Sequence, residues 1–214
     1  MLTRTLRTMT LAVALAFGAA VPAFAAGPVA SPVVAPYVAP TAEEAADMAY
    51  MREEEKFSRD LYLRFAEAWD RAPFAAVANA EQNHMDAMLR LLRKYRVADP
   101  AAGGLVGEFS DAELQALYTT LLQRGLGGEL EALKVGGLVE EADITDLAIS
   151  MAHTMKADLR AVYGNLACGS RNHLRAFARE IRALTGQSYV AQSMSQAAVD
   201  AILAQPWERC GRGW

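Results

Sequence analysis

The sequence has little of what most chemistries require. Its 214 residues include two cysteines and three histidines, with no Cys-x-x-Cys pair. That excludes a zinc ribbon and a rubredoxin-like iron–thiolate partner. There is no P-loop, no G-x-G-x-x-G and no nucleophile elbow. A basic excess is missing too: the formal charge is −4, which leaves no cationic face for nucleic acid. No apolar run reaches the roughly 20 residues of a membrane span. No segment alternates apolar and polar residues over a useful length, so strand content is expected to be near zero.

What remains is a chain rich in helix formers, Ala, Leu, Glu and Arg. Its length suits one domain, and its 53 % hydrophobic content is enough to bury a sizeable core. The N-terminus reads as a signal peptide over residues 1–25. Arg4 and Arg7 form the positive region, "LAVALAFGAAV" the apolar core and "AFA" the cleavage site near Ala25. No cysteine follows the apolar run to accept a lipid anchor. The implied location is secreted or periplasmic, with no membrane insertion after cleavage. Residues 26–41, "AGPVASPVVAPYVAPT", form an uncharged Pro/Ala-rich linker. Residues 42–205 hold the helical domain, and 206–214 are a tail. Export makes a Cys168–Cys210 disulfide an open alternative to two free thiols.

Hydrophobic periodicity places four long helices at about 42–69, 74–95, 128–152 and 155–184. Thr41 and Glu44 make a capping box for the first. Ser110 and Glu113 suggest another for a short helix ending at Gly125, and Ser195 a cap for a last short helix. The fold class is therefore all-α, a four-helix bundle with short additional helices.

Two histidines, His84 and His173, fall on the apolar stripes of long helices. His153 sits at a helix junction and is expected to be solvated. A lone histidine on such a stripe is usually a core residue, but these have company. Glu81 precedes His84 by three residues and shares its face. Glu140 lies on the third stripe, with Asp143 one turn on. The first helix offers Glu53, Glu54 and Glu55. Within "MREEEK" most of the acids are expected on a solvated face, with one or two inward. Buried carboxylates without a cation repel one another and lose hydration. Carboxylate oxygen with imidazole nitrogen suits iron or manganese. The methionines read as core filler or helix surface. Tyr62 and Tyr163 are phenols expected near the site. Arg171 and Asn172 are candidates to hold a carboxylate or a ligand.

Four motifs, "MREEEKFSRDLY", "EQNHMDAMLRLL", "GGLVEEADITDL" and "GSRNHLRAF", together resemble a ferritin-like family known as domain of unknown function 2202, over residues 45–205. The resemblance implies a ferritin-like four-helix bundle and no established activity. A more distant resemblance is to rubrerythrin. The spacing of Glu55, Arg59 and Tyr62 matches its first helix and singles out Glu55 among the three acids. Glu81 with His84 matches the second helix, and Glu140 with Asp143 the third. In the fourth, this chain has Gly169 and Asn172 where rubrerythrin carries acids, and keeps only His173.

The expected ligand set is thus Glu55, Glu81, His84, Glu140, Asp143 and His173. It would hold iron, as one or two ions, or manganese, with oxidase or peroxidase-like reactivity toward a small-molecule oxidant. The missing helix-four acids put a symmetric two-ion centre in question. The alternative is a metal-free bundle acting as an envelope interaction or structural module, with the inward polar groups paired among themselves. A homodimer is compatible with either reading.

Overall fold

The computed structural model describes residues 37–211. The expectations for the signal peptide and most of the linker lie outside them. Six helices follow in order: α1 (Ala42–Trp69), α2 (Phe74–Tyr95), α3 (Ala112–Leu126), α4 (Glu129–Ala152), α5 (Ala157–Thr185) and α6 (Gln196–Leu203). No strand occurs among the described residues. No helix among them is long and apolar enough to cross a membrane. The four long helices are α1, α2, α4 and α5. α1 packs along α2 and α4 along α5, each pair joined by a short connection.

The Thr41–Glu44 capping box forms as expected, each side chain bonding the other's backbone N–H. The Ser110 cap does not. Asp111 caps α3 instead, accepting from Glu113 and Leu114 N–H, while the Ser110 hydroxyl donates to the Pro100 carbonyl. An ionised carboxylate is the stronger acceptor for free amides at a helix start. Ser195 does cap α6. The last long helix begins at Ala157, two residues later than its sequence pattern suggested.

Two apolar clusters hold the bundle. One gathers Phe57, Phe65, Phe74, Leu133 and Phe177 toward the α3 and α6 end. The other gathers Met48, Met51, Met88, Leu92, Leu147 and Leu159 toward the opposite end. The backbones approach closely in the first: a Cβ on Gly136 would lie 2.5 Å from the Phe177 ring.

The solvated face expected for "MREEEK" is not there. Met51 through Lys56 are all buried. α3 and the loop before it cover the side of α1 that a plain four-helix bundle would leave wet. Glu53 accepts the backbone N–H groups of Ser110 and Asp111 there, and Lys56 donates to Asp60 and to the carbonyls of Leu105 and Glu108.

Cys168 and Cys210 form a disulfide. It pins the tail to α5, helped by Arg171 and Arg175 on Glu208 and by Asn172 on the Glu208 backbone. Arg171 and Asn172 therefore serve the tail, not the expected site. His153 pairs with Asp47 and Glu43 at the surface.

Candidate metal centre

Between the two apolar clusters the bundle has a polar waist. α1 supplies Glu55, α2 supplies Glu81 and His84, α4 supplies Glu140 and Asp143, and α5 supplies His173. Helical geometry explains the selection. Residues three apart share a face, so Glu81 reaches the interior together with His84. Glu55, Glu81 and Glu140 are each 1 % exposed.

His84 Nδ1 lies 2.7 Å from Glu81 Oε2 and 3.1 Å from Glu55 Oε2. His173 Nδ1 lies 2.8 Å from Glu81 Oε1 and 3.3 Å from Glu140 Oε2. Glu81 therefore reaches one histidine with each oxygen. The ligand atoms form two trios, Glu55–Glu81–His84 and Glu81–Glu140–His173, each within 4.8 Å. The two imidazoles stack, with centroids 5.5 Å apart. The Tyr62 hydroxyl donates to Glu140 Oε1 at 2.6 Å.

These contacts are close without being saturated. The His84–Glu55 contact is aligned as a hydrogen bond. Yet Glu55 Oε1, Glu81 Oε2 and His173 Nδ1 are buried and have no hydrogen-bond partner. Buried polar atoms are normally satisfied, so unpartnered ones gathered in one place call for a reason. Two ligand atoms bound at about 2.1 Å and at right angles on one ion lie about 3.0 Å apart. The observed separations of 2.7 to 3.3 Å bracket that value. The donor set, three carboxylates and two imidazoles, is chemically suited to hold divalent cations.

The electrostatics agree. Burial pushes Glu55 up to about 7, with Glu81 adding to it and His84 opposing. Burial also works to raise Glu81, but the two histidines outweigh it and hold Glu81 well below the usual carboxylate range. Burial opposes a charge on His173, yet Glu81 and Glu140 lift it to about 10. His84 is raised in the same way, by Glu55 and Glu81. Glu140 is raised by burial and by Glu81. Without a cation, then, protons balance the waist.

Five of the six expected ligands come together. Asp143 stands beside both trios, accepting from the Ser170 hydroxyl, while its Oδ1 has no partner. Tyr62 does adjoin the site. Tyr163 does not, and lies toward Asp47 and Glu44. Glu140 meets Tyr62 and His173, not Arg171.

Gly169 also gains a reason. A Cβ there would fall 2.5 Å from His84 Nε2. The space a side chain at this bare position on α5 would take is filled by the His84 ring. A cleft of about 440 Å³, lined by His84, Asn83, Arg90, Asn165 and Cys210 among others, leads to that ring. Sequence reasoning weighed Glu54 and set it aside in favour of Glu55, and it gave Ser170 no role at the site although Ser170 precedes His173 by three residues on the same face.

A family model described as "Uncharacterized protein domain (DUF2202)" matches residues 44–206. The chain is 40 % identical over 167 residues to "Uncharacterized protein MJ0754" of Methanocaldococcus jannaschii, which covers 78 % of this chain and 90 % of that protein. The crystal structure of the hypothetical protein MJ0754 superposes with a TM-score of 0.78 at 38 % identity, covering 82 % of this chain and 99 % of that one.

Proposed function

The chain belongs to the DUF2202 family, and from that premise we propose that it is an exported metalloprotein whose ferritin-like bundle holds two ions of iron or manganese. One observation carries the reading: two buried carboxylate–imidazole trios share Glu81, and Glu55 Oε1, Glu81 Oε2 and His173 Nδ1 among them have no hydrogen-bond partner. Glu55 and His84 would hold one ion, Glu140 and His173 the other, and Glu81 would bridge them. Bound iron would supply redox and Lewis-acid chemistry toward a small oxidant such as dioxygen or peroxide.

The chain's own groups have definable parts. Tyr62 orients Glu140 through its hydroxyl. The apolar clusters above and below exclude water from the waist. The cleft at His84 gives a small molecule an approach. The Cys168–Cys210 disulfide supports an oxidising compartment, in keeping with export.

The test is metal content by mass spectrometry on the exported protein and on a Glu81→Ala/His84→Ala double variant. The expected result is about two iron or manganese ions per chain, following one ion per trio, and their loss in the variant. A wild-type protein that takes up neither metal from excess would refute the reading.

A further inference from the structure

Two buried carboxylate oxygens lie outside the two trios and have no hydrogen-bond partner: Glu54 Oε2 and Asp143 Oδ1. Glu54 is 6 % exposed and Asp143 is 3 % exposed. Glu54 precedes Glu55 on α1 and so points about 100° away from it. Asp143 lies one turn beyond Glu140 on α4. Asp146, a further turn along α4, is half-buried and meets Glu54. The groups acting most strongly on Glu54 are Asp143, Asp146 and Glu55, all acids.

Elsewhere the fold satisfies buried acids whose duty is structural. Glu53 accepts two backbone N–H groups, at 2.5 and 2.9 Å. Glu141 accepts from the Tyr189 hydroxyl and from the N–H groups of Gln192, Ser193 and Met194. Glu54 and Asp143 have no such complete set, although idle buried oxygens are costly. Glu140, Asp143 and Asp146 follow one another at i, i+3 spacing along one face of α4, ending at the half-buried Asp146. Glu54, with its idle Oε2, interacts with Asp143 and Asp146 from α1.

We propose that Asp146, Glu54 and Asp143 form the path by which divalent cations reach the Glu55–Glu81–Glu140 centre, each carboxylate taking the ion in turn. The proposal rests on the reading of that centre as a metal site. Carboxylate oxygens suit hard divalent cations that must be passed on. The cleft at His84 is a poorer route for a cation, because Arg90 lines it along with Asp86.

The test follows Co²⁺ uptake by the purified metal-free protein in stopped flow, with a chelator dye reporting free ion and equilibrium dialysis giving the final stoichiometry. Glu54→Gln and Asp146→Asn each remove a carboxylate ligand and keep shape. Glu131→Gln, a surface acid paired with Lys134 and Arg124, controls for net charge. Both path variants are expected to slow uptake at least about fivefold at unchanged final stoichiometry, a loss on the scale of one charge–charge interaction. The control should stay within about twofold of wild type, as befits a screened surface charge. Unchanged rates would overturn the path and leave the centre standing. A lost equivalent at unchanged rate would also overturn it, since Glu54 would then be a storage ligand. No uptake by wild type would overturn path and centre together. If Glu54→Gln fails to fold, Asp146→Asn at the half-buried rim decides the question alone.

Discussion

Glu81→Gln tests the centre most directly, because one substitution removes the charge that both histidines share. Glu81 lies 2.7 Å from His84 and 2.8 Å from His173. Removing one partner of a buried ion pair costs about 3–5 kcal/mol. A second route gives a similar figure. His173 is lifted to about 10, so at pH 7 its proton is held by about three pH units, or about 4 kcal/mol. That is also a ceiling, since an imidazole without its partner sheds the proton. His84 loses less because Glu55 remains. The sign follows from linkage. His173 has a folded value above its unfolded one of about 6.5, so its contribution is complete below pH 6.5 and drains away as pH rises through about 10. Glu81 is depressed by these same imidazoliums, so its contribution is lost as pH falls through its folded value and also fades at high pH as they give up their protons. Urea unfolding of metal-free wild type and Glu81→Gln should therefore differ by about 3–4 kcal/mol at pH 6–7 and by under about 1 kcal/mol near pH 10. A gap below about 1 kcal/mol at pH 6, or one constant from pH 6 to 10, would refute the electrostatic argument.

Gly169→Ala drives a Cβ to 2.5 Å from His84 Nε2, so the ring must move. The expected cost is about 1–3 kcal/mol in thermal unfolding, with about one of two ions lost by mass spectrometry. Metal loading at pH 7 should release about two to three protons per centre, because a cation displaces the extra proton on each of His84 and His173 and the part-occupied proton on Glu55. A pH indicator in weak buffer reads this, and apparent affinity should rise with pH; loading without proton release would contradict the proton-balanced waist. Tyr62→Phe leaves Glu140 Oε1 without its donor and should cost about 1–3 kcal/mol. Its effect on metal retention should fall on one ion only, since Glu140 belongs to one trio.

The parts of this site that sequence reached are those governed by helical spacing. Glu81 and His84 share a face whatever surrounds them, and Glu140 and His173 sit on apolar stripes where only an inward direction fits. Choosing Glu55 needed a resemblance, because "REEEK" offers three adjacent acids and spacing alone cannot rank them. Its neighbours were misread for a tertiary reason. Three successive residues sweep about 200° of a helix, so they stay wet unless the helix is enclosed on most sides. α1 is enclosed, by α2, by α4 and by α3 with its preceding loop, and each of the three acids meets a different neighbour. Nothing local in Ser110 showed that its N–H is taken by Glu53, or that Asp111 would be the cap. Gly169 looked like a lost ligand; packing shows a position kept bare for the His84 ring.

The same electrostatics separate what folds this protein from what the waist is for. The two apolar clusters run the length of the bundle on either side of the centre and do not depend on it. The waist sets buried acids around two imidazoles, an arrangement that a fold seeking stability alone would replace. Exchanging a buried ionic cluster for apolar residues of similar volume is often neutral or stabilising by about 1–4 kcal/mol. A Glu81→Leu/His84→Leu/His173→Leu triple variant removes the charged members together, and burial already favours the neutral form of Glu55 and Glu140. It should therefore match or exceed metal-free wild type in urea while binding no metal, although Glu81→Gln alone is destabilised. If the triple variant were instead the less stable protein by several kcal/mol, the cluster would be a structural element, and the unpartnered oxygens at the waist would lose their meaning as ligands.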